Sequence, residues 1–179
     1  MIFNYSDLKD VVSRDGAMLP GQKSKVTNVD TIVAKPSNPT KEIFDGMLVK
    51  LVDGKVEPIT SASDVVFGIV VEDLRAQRKG GTFDFGGTQM ITSYYPGAIV
   101  SVMQKGFIYV PVVGGATITS GTAVKYTNDG KVSLSGANTL ENAYYTGNSG
   151  FPLSAQTVGG GEEETSRTAE IVIDFSLKA

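Results

Sequence analysis

From residue 43 onward, this sequence consists of short apolar runs separated by turn signals. Asp53-Gly54 stands between two such runs, and Asn128-Asp129-Gly130 stands between another two. Asp-Gly pairs favour the tight turns that join antiparallel strands. Glycine supplies 21 of the 179 residues, which is above the usual share of about 7%. The pattern predicts an all-β protein, a small β-barrel or sandwich built from hairpins.

Each apolar run gives a predicted strand. The run at residues 65–71 is apolar throughout, which is typical of a central strand buried on both faces. Gln104-Lys105-Gly106 is predicted to be a turn, and the Gly-, Ser- and Asn-rich residues 135–166 are predicted to be a loop. The last strand is expected to close the barrel or sheet. The predicted strands cover residues 47–52, 55–58, 65–71, 98–103, 107–112, 122–126, 131–134 and 168–175.

The first 40 residues differ from the rest, with three prolines, many charges and few aromatic residues. Proline disfavours helix at itself and at the residue before it, so residues 35–39 are predicted to be a stiff linker. We therefore divide the chain into an extended N-terminal arm, residues 1–40, and a β-barrel-like domain, residues 41–179. The arm is either a flexible leader or a segment that becomes ordered on a neighbouring molecule.

Two segments of the predicted barrel resemble each other. Residues 46–56 and residues 121–132 both contain a Gly, an apolar strand with one Lys, an Asp-Gly turn and a Lys-Val pair. The second segment is one residue longer than the first. The two segments are either equivalent hairpins of one sheet or independent solutions to the same turn, and both alternatives stay open.

The sequence contains no His and no Cys, which removes most catalytic chemistry. Without them there is no Ser-His-Asp triad, no cysteine nucleophile, and no imidazole or thiolate metal ligand. An enzyme of this composition would have to use carboxylates, as glycoside hydrolases do, and Asp45, Asp84 and Asp129 are the acids considered for that role. We predict no enzyme, no catalytic or metal-binding residue, and no cofactor.

Arg75, Arg78 and Lys79 form the one local basic cluster of the sequence. The net charge is −3, and no aromatic residues interleave with these cations as they do in surfaces that stack bases. An acidic protein surface is therefore a better partner for the cluster than nucleic acid. No apolar run approaches the ~18 residues of a membrane helix, so no membrane partner is predicted.

Two tyrosine pairs, Tyr94-Tyr95 and Tyr144-Tyr145, stand in segments that read as loops. Exposed tyrosine is favoured in protein interfaces, and it also lines sugar-binding surfaces. Packing over the ends of a barrel is the structural alternative for both pairs.

The order of these elements resembles that of the cement, or decoration, proteins of tailed bacteriophage capsids. The resemblance covers roughly residues 40–175 and lies in the succession of the elements rather than in any catalytic signature. In chain order, it rests on Asp45-Gly46, Leu48-Val49-Lys50-Leu51, Asp53-Gly54-Lys55-Val56, Pro58, Ser61-Ala62-Ser63-Asp64, Val66-Phe67-Gly68-Ile69-Val70, Gly106-Phe107-Ile108-Tyr109-Val110, Gly121-Thr122-Ala123-Val124 and Ala169-Glu170-Ile171-Val172-Ile173.

The resemblance implies a structural virion protein, assembled in the host cytoplasm, that binds the outer surface of the assembled phage head. It would bridge neighbouring subunits of the major capsid protein and stabilise the shell against DNA pressure. It also implies a homo-dimer or homo-trimer. We expect the partner contacts at Arg75, Arg78, Lys79, Tyr94, Tyr95, Pro36 and Pro39.

The alternative is a tail- or fibre-associated β-domain that binds a host glycan. Its candidate residues are Tyr94, Tyr95, Tyr144 and Tyr145, which would supply the aromatic faces for a sugar. The two functions differ in the number of copies per particle.

Overall fold

A computed structural model describes residues 21–24, 30–72, 78–79, 93–113, 117–128, 130–153 and 166–175. This part of the chain holds strands and no helix, which confirms the all-β prediction. No helix long and apolar enough to cross a membrane is therefore present among these residues. The strands are β1 (Thr31–Pro36), β2 (Leu48–Val52), β3 (Lys55–Pro58), β4 (Gly68–Val70), β5 (Arg78–Lys79), β6 (Ser93–Tyr94), β7 (Ile99–Val113), β8 (Ala123–Tyr126), β9 (Val132–Ser133), β10 (Asn138–Leu153) and β11 (Ser166–Asp174).

Five strands close into a barrel in the order β7, β9, β8, β10, β11. The ring is completed by β11, which runs antiparallel to the C-terminal half of β7 from Ser166↔Val113 to Asp174↔Lys105. At the last of these pairs, Lys105 and Asp174 form an ion pair at 2.7 Å. The prediction that the final strand closes the barrel is confirmed. We call this ring the C-terminal barrel.

The other strands of the same sheet form a second unit, in the order β1, β7, β4, β2, β3, while β5 and β6 pair only with each other. The N-terminal half of β7 supplies its central wall, and the parallel bridge Ser37↔Val56 brings β3 back to the end of β1. We call this the N-terminal unit. Residues 21–24 and β1, both from the predicted arm, thus pair with β7, whereas residues 1–20 lie outside the described residues. The division at residue 40 stays a prediction.

Two clusters of buried side chains fill the two units. The smaller cluster lies in the N-terminal unit and comprises Ile43, Val49, Val56, Val70, Tyr94, Val100 and Val102. The larger cluster fills the C-terminal barrel and extends onto β2 and β4 through Leu48 and Ile69. Because alternate residues of β4 point into different clusters, all three residues of the strand are buried. The prediction of a strand buried on both faces is confirmed, although β4 is shorter than residues 65–71.

The turn predicted at residues 104–106 is wrong, because β7 runs through it as one strand of 15 residues. Its pairing with β1 shifts by one residue between Thr31↔Lys105 and Ile32↔Met103, so Gln104 forms a bulge. Gly106 follows with φ +137°, and a Cβ there would lie 2.8 Å from Asp30 Oδ1. Glycine at this point therefore permits a bend between the two units rather than a chain reversal.

The loop predicted at residues 135–166 is also wrong over much of its length, because β10 spans 16 of these residues. The register of β10 shifts around Asn142 and Gly147, which have φ +57° and +94°. Glycine and asparagine adopt positive φ more readily than other residues. A strand with such interruptions in its pairing therefore has a composition like that of a turn. Leu140, Ala143 and Tyr145 are buried in the barrel. Residues 154–165 lie outside the described residues.

The two similar sequence segments occupy equivalent positions in the two units. Residues 44–47 and residues 119–122 both form a turn in which the last N–H donates to the first carbonyl, at 3.3 and 3.2 Å. The third residues, Gly46 and Gly121, have φ +75° and +79°, as a type II turn requires. Each turn leads into a hairpin, β2–β3 or β8–β9.

Each turn also bonds to the third strand of its own unit. Val70 of β4 exchanges two backbone hydrogen bonds with residues 46–47, at 2.8 and 3.0 Å. Tyr145 of β10 exchanges the same two bonds with residues 121–122, at 2.8 and 2.9 Å. Shared turn chemistry alone would not reproduce these long-range bonds, so the two segments are structurally equivalent.

The first strands of the two units correspond as well. β1 pairs with the N-terminal half of β7, and the C-terminal half of β7 pairs with β11. The parallel pairs Ser37↔Val56 and Val112↔Val132 then close the two units at the same point. The units are therefore two copies of one arrangement that share the strand β7, with Ser37 at the position of Val112.

Candidate functional site

A tight turn at residues 95–98 presents one of the predicted contact residues to solvent. Ala98 donates its N–H to the carbonyl of Tyr95 at 3.0 Å, and Gly97 has φ +81°. Pro96 occupies the second position, as it commonly does in a type II turn. The turn fixes the backbone next to the side chain of Tyr95, which is 48% exposed.

Two more predicted contact residues lie beside this turn. Ser37 donates its N–H to the carbonyl of Ala98 at 2.8 Å, which holds Pro36 opposite Ile99 in the β1–β7 pair. Pro39 Cβ lies 3.9 Å from the position that a Cβ on Gly97 would take. The structure therefore brings Pro36, Pro39 and Tyr95 to one surface.

Ile99 completes this surface and was missed by the sequence analysis. It is 59% exposed although it begins a long strand, because Val100 and Val102 take the inward positions and fill the N-terminal cluster. The run at residues 98–103 is apolar on both faces, so the sequence alone does not indicate which face points outward. We call Pro36, Pro39, Tyr95 and Ile99 the contact patch.

Tyr94 is a buried anchor for the patch. Its side chain is 1% exposed, and its hydroxyl lies 2.5 Å from Asp45 Oδ1 and 3.0 Å from the carbonyl oxygen of Val71. Its backbone N–H donates to the carbonyl of Ile43 at 3.0 Å. These bonds fix the chain just before the turn that carries Tyr95, and they leave the Tyr94 side chain buried rather than on the surface.

Two residues of the basic cluster have their backbone next to the same turn. Arg78 and Lys79 form β5, which pairs antiparallel with β6 in the register Arg78↔Tyr94 and Lys79↔Ser93. Arg75 lies outside the described residues. The backbone of Arg78 and Lys79 therefore lies beside the strand that leads into the contact patch.

The four tyrosines considered for a sugar do not share a surface. Tyr94 belongs to the N-terminal cluster, and Tyr145, 2% exposed, belongs to the C-terminal one. Tyr95 and Tyr144 are about half exposed, but Tyr95 begins the turn at residues 95–98 and Tyr144 lies on β10 of the C-terminal barrel. Two of the four rings are thus unavailable to a glycan.

The acids considered for catalysis give no described pair. Asp45 is 5% exposed and lies against the hydroxyl of Tyr94, while Asp84 and Asp129 lie outside the described residues. No group of three Asp, Glu, His or Cys side chains that could hold a metal ion occurs within the described ranges. The contact patch itself consists of uncharged side chains, which suit the burial of apolar surface rather than charge pairing or catalysis.

Comparison with known proteins gives a family match over most of the chain. A family model described as "Structural cement protein (E217 gp24/Pam3 gp6)" matches residues 9–172. A chain of a solved structure described as "The capsid of Myoviridae Phage XM1" has a similar fold, with a TM-score of 0.54 and 18% sequence identity. That similarity covers 97% of this chain and 98% of the other. A search of curated proteins gave no match.

Proposed function

The chain belongs to the family of phage structural cement proteins, and on this premise we propose how it reinforces a phage head. Its role is that of a capsid cement or decoration protein of the virion, with the capsid as its partner. In our proposal it binds the outer surface of the assembled shell and bridges neighbouring subunits of the major capsid protein. By doing so it stabilises the shell against the pressure of the packaged DNA.

The contact patch is the observation that carries this proposal. Tyr95 and Ile99 are 48% and 59% exposed, and backbone hydrogen bonds and proline rings hold the segments that carry them. A surface that is already ordered loses less conformational entropy on binding than a flexible one. Tyrosine is also enriched at the centres of protein interfaces. These properties favour docking on a large, preformed partner such as a shell.

The basic segment supports a second part of the proposal, which is the charge of the partner surface. Arg78 and Lys79 form β5, whose backbone pairs with β6 beside the patch, in a chain of net charge −3. Such a local cluster steers association towards an acidic surface and increases the association rate more than the final affinity. We therefore propose acidic residues on the shell next to the site that receives Tyr95.

The stabilisation follows from mass action. A ligand that binds only the assembled state stabilises it by RT ln(1 + [L]/Kd), about 2.7 kcal/mol per site at 100 times Kd. A copy that contacts two neighbouring subunits also holds the second contact at a high effective concentration. No catalytic step, cofactor, nucleic acid or membrane is part of this function, and self-association as a dimer or trimer would add further contacts.

Counting copies in purified virions tests the role. Quantitative mass spectrometry is expected to give one copy per major capsid subunit, or a simple fraction of one. A handful of copies per particle would instead place the protein in the tail and favour the glycan-binding alternative.

Binding to heads that lack the protein tests the surface. Tyr95→Ala is expected to weaken binding at least ~10-fold, because it removes a central aromatic contact. Tyr144→Ala is the matched control, since Tyr144 is 46% exposed but lies on β10 of the other unit. Equal binding by Tyr95→Ala and wild type would contradict the proposed surface.

A further inference from the structure

We propose that Asn38 is the positioning residue of the contact patch, and that its carboxamide acts by joining the turn that carries Pro39 to Glu57 of β3. The proposal rests on the proposed function for its purpose, because a positioned patch matters only to a partner that binds it. Asn38 lies between the two prolines of the patch and is half-buried, as is Glu57.

The backbone of residues 36–39 has two N–H groups, because proline has none. Ser37 donates its N–H to the carbonyl of Ala98 at 2.8 Å, and Asn38 donates its N–H to the carbonyl of Val56 at 2.9 Å. The first bond attaches the segment to the solvent-exposed turn of the patch, and the second attaches it to β3. Two consecutive residues thus bond to opposite sides.

Asn38 also begins a tight turn in which Pro39 is the second residue. Lys41 donates its N–H to the carbonyl of Asn38 at 3.3 Å. The N–H and the hydroxyl of Thr40 both donate to Asn38 Oδ1, each at 2.8 Å. Asparagine in the first position and proline in the second are favoured in such turns. The turn that carries Pro39 is therefore closed by the side chain of Asn38.

The other end of the same carboxamide attaches this turn to β3. Asn38 Nδ2 donates to Glu57 Oε1 at 2.5 Å. The polarity of the carboxamide is fixed at both ends, because Thr40 presents donors to its oxygen and an ionised carboxylate can only accept from its nitrogen. A hydrogen bond to a charged group is also stronger than one between neutral groups. Asn38 thus holds the turn on β3 in one orientation.

The side chain of Ser37 contributes no hydrogen bond to this attachment. Ser37 is 1% exposed, and its hydroxyl has no hydrogen-bond partner within the part of the chain that the structure describes. The apolar Val112 takes the equivalent position in the C-terminal barrel. A buried hydroxyl without a partner is unfavourable, so the bonds of Asn38 carry more of the attachment of this segment.

The position of Pro39 matters because its ring lies next to the turn that carries Tyr95. Pro39 Cβ is 3.9 Å from the position that a Cβ on Gly97 would take. Both neighbours of Pro39 in the chain, Asn38 and Thr40, are attached to the same carboxamide. Loss of that attachment would therefore change the spacing between Pro39 and Tyr95. A surface whose spacing is already set loses less conformational entropy on binding.

Reversing the polarity of the hydrogen bond tests the proposal. Asn38→Asp keeps an oxygen for Thr40 but places a second carboxylate against Glu57, where like charges repel. It is expected to weaken binding to heads that lack the protein at least ~10-fold. The double variant Asn38→Asp, Glu57→Gln pairs a donor with an acceptor again, because the new amide donates to the new carboxylate. It is expected to bind within ~3-fold of wild type.

Two single variants are the controls for this exchange. Glu57→Gln still offers an oxygen to Asn38 Nδ2 and is expected to bind within ~3-fold of wild type. Ala137→Asp adds the same charge as Asn38→Asp at an exposed site of the other unit and is expected to bind as wild type does. The double variant keeps the wild-type net charge of −3, so net charge would not explain its recovery.

Hydrogen exchange in the free protein tests the positioning without a shell. Asn38→Asp is expected to speed exchange of the Ser37 and Thr40 amides at least ~5-fold, and the double variant is expected to restore it. The amide of Tyr145, which donates to Thr122 in the C-terminal barrel, should not change. Faster exchange at Tyr145 as well would indicate a general loss of stability and would overturn the positioning role.

The binding results separate this proposal from the proposed function. Equal binding by Asn38→Asp and wild type would overturn the positioning role alone, and so would a loss that Glu57→Gln does not rescue. Weaker binding by Asn38→Asp without faster exchange would make Asn38 a direct contact and would also overturn it. If wild type does not bind heads but the exchange results hold, the proposed function fails and the attachment of the turn through Asn38 stands.

Discussion

The N-terminal unit and the C-terminal barrel contain the same turn, hairpin and third strand, but different neighbours cover them. In the third strands, Val70 and Tyr145 make the same two backbone bonds to the glycine turn. The preceding residues differ: Ile69 is fully buried against the larger cluster, whereas Tyr144 is 46% exposed. The third strand of the N-terminal unit therefore packs against buried side chains on both faces, whereas one face of the third strand of the C-terminal barrel is exposed to solvent.

In the first strands, by contrast, the C-terminal barrel has the covered residue and the N-terminal unit has the exposed one. Tyr109 of β7 is 8% exposed, since residues 21–24 cover its edge and the buried Glu170 stands opposite it in β11. Burial and the nearby Glu170 carboxylate both raise the pKa of Tyr109. Ala34, at the same position of β1, is exposed. Equivalent positions of the two first strands are therefore covered in the C-terminal barrel and exposed in the N-terminal unit.

The largest expected effect comes from removing the same core residue in both units. Ile43 and Ile118 precede the two glycine turns and are 1% and 9% exposed. Replacing either by Ala should lower the free energy of unfolding by about 2–5 kcal/mol, with Ile118→Ala at the lower end. Because both units share β7, each variant should unfold in a single transition in urea. Two separate transitions would show that the units fold independently.

Alanine substitutions at the turn glycines of the two hairpins compare the cost of backbone strain alone with the cost of strain plus crowding. Gly54 and Gly130 have φ +76° and +79°, so Ala at either position costs about 1–2 kcal/mol in the left-handed region. A Cβ on Gly54 meets open space, whereas a Cβ on Gly130 would lie 2.8 Å from Ile59 Cβ. Gly130→Ala should therefore destabilise the protein more than Gly54→Ala in urea unfolding. Equal losses would mean that Ile59 moves aside without penalty.

Lys50 and Lys125 stand at the same position of the two hairpins, and their substitution should give a smaller difference in stability. Lys50 Nζ lies 3.0 Å from both carboxylate oxygens of Asp64, and Lys125 is exposed. Lys50→Ala should lower the free energy of unfolding by about 0.5–1 kcal/mol, and the loss should diminish in high salt. Lys125→Ala serves as the control and should leave stability within ~0.5 kcal/mol of wild type. A larger loss of unfolding free energy for Lys125→Ala than for Lys50→Ala would contradict this prediction.

Acid unfolding gives the smallest predicted effect. The backbone N–H of Thr60 donates to Asp64 and is the main cause that holds the pKa of this carboxyl below 3.8, with Lys50 assisting. A lowered folded-state pKa stabilises the protein above the unfolded-state pKa, and this stabilisation is lost as the pH falls through the folded-state value. Asp64→Asn should therefore flatten the decrease in stability below about pH 4. A decrease in stability with falling pH that is the same in Asp64→Asn as in wild type would contradict this expectation.

Local chemistry made the hairpins predictable from sequence. Asp53 and Gly54 have φ +49° and +76°, as a two-residue turn of type I′ requires, and the strands on either side pair as expected. Gly106 and Gly147 carry the same composition signal but serve bends within β7 and β10. Whether a glycine reverses a strand or bends it depends on pairing with distant strands, which the local sequence does not specify.

The contact patch was predictable only in part for the same reason. Pro36, Pro39 and Tyr95 were singled out from their residue types, and the structure places them on one surface. Their role as contacts stays a prediction. Tyr94 and Ile99 depend on which way a strand faces: Tyr94 points into the core at 1% exposure, and Ile99 points outward at 59%. Residue type alone does not distinguish these orientations.

The central claim is that this protein stabilises an assembled head by binding its outer surface. The most direct measurement heats purified heads that lack the protein and records the temperature at which DNA becomes accessible to a dye. Added wild-type protein should raise that temperature until the sites are saturated, and Tyr95→Ala should require at least ~10-fold more protein for the same shift. A release temperature unchanged at saturating wild-type protein would contradict the account.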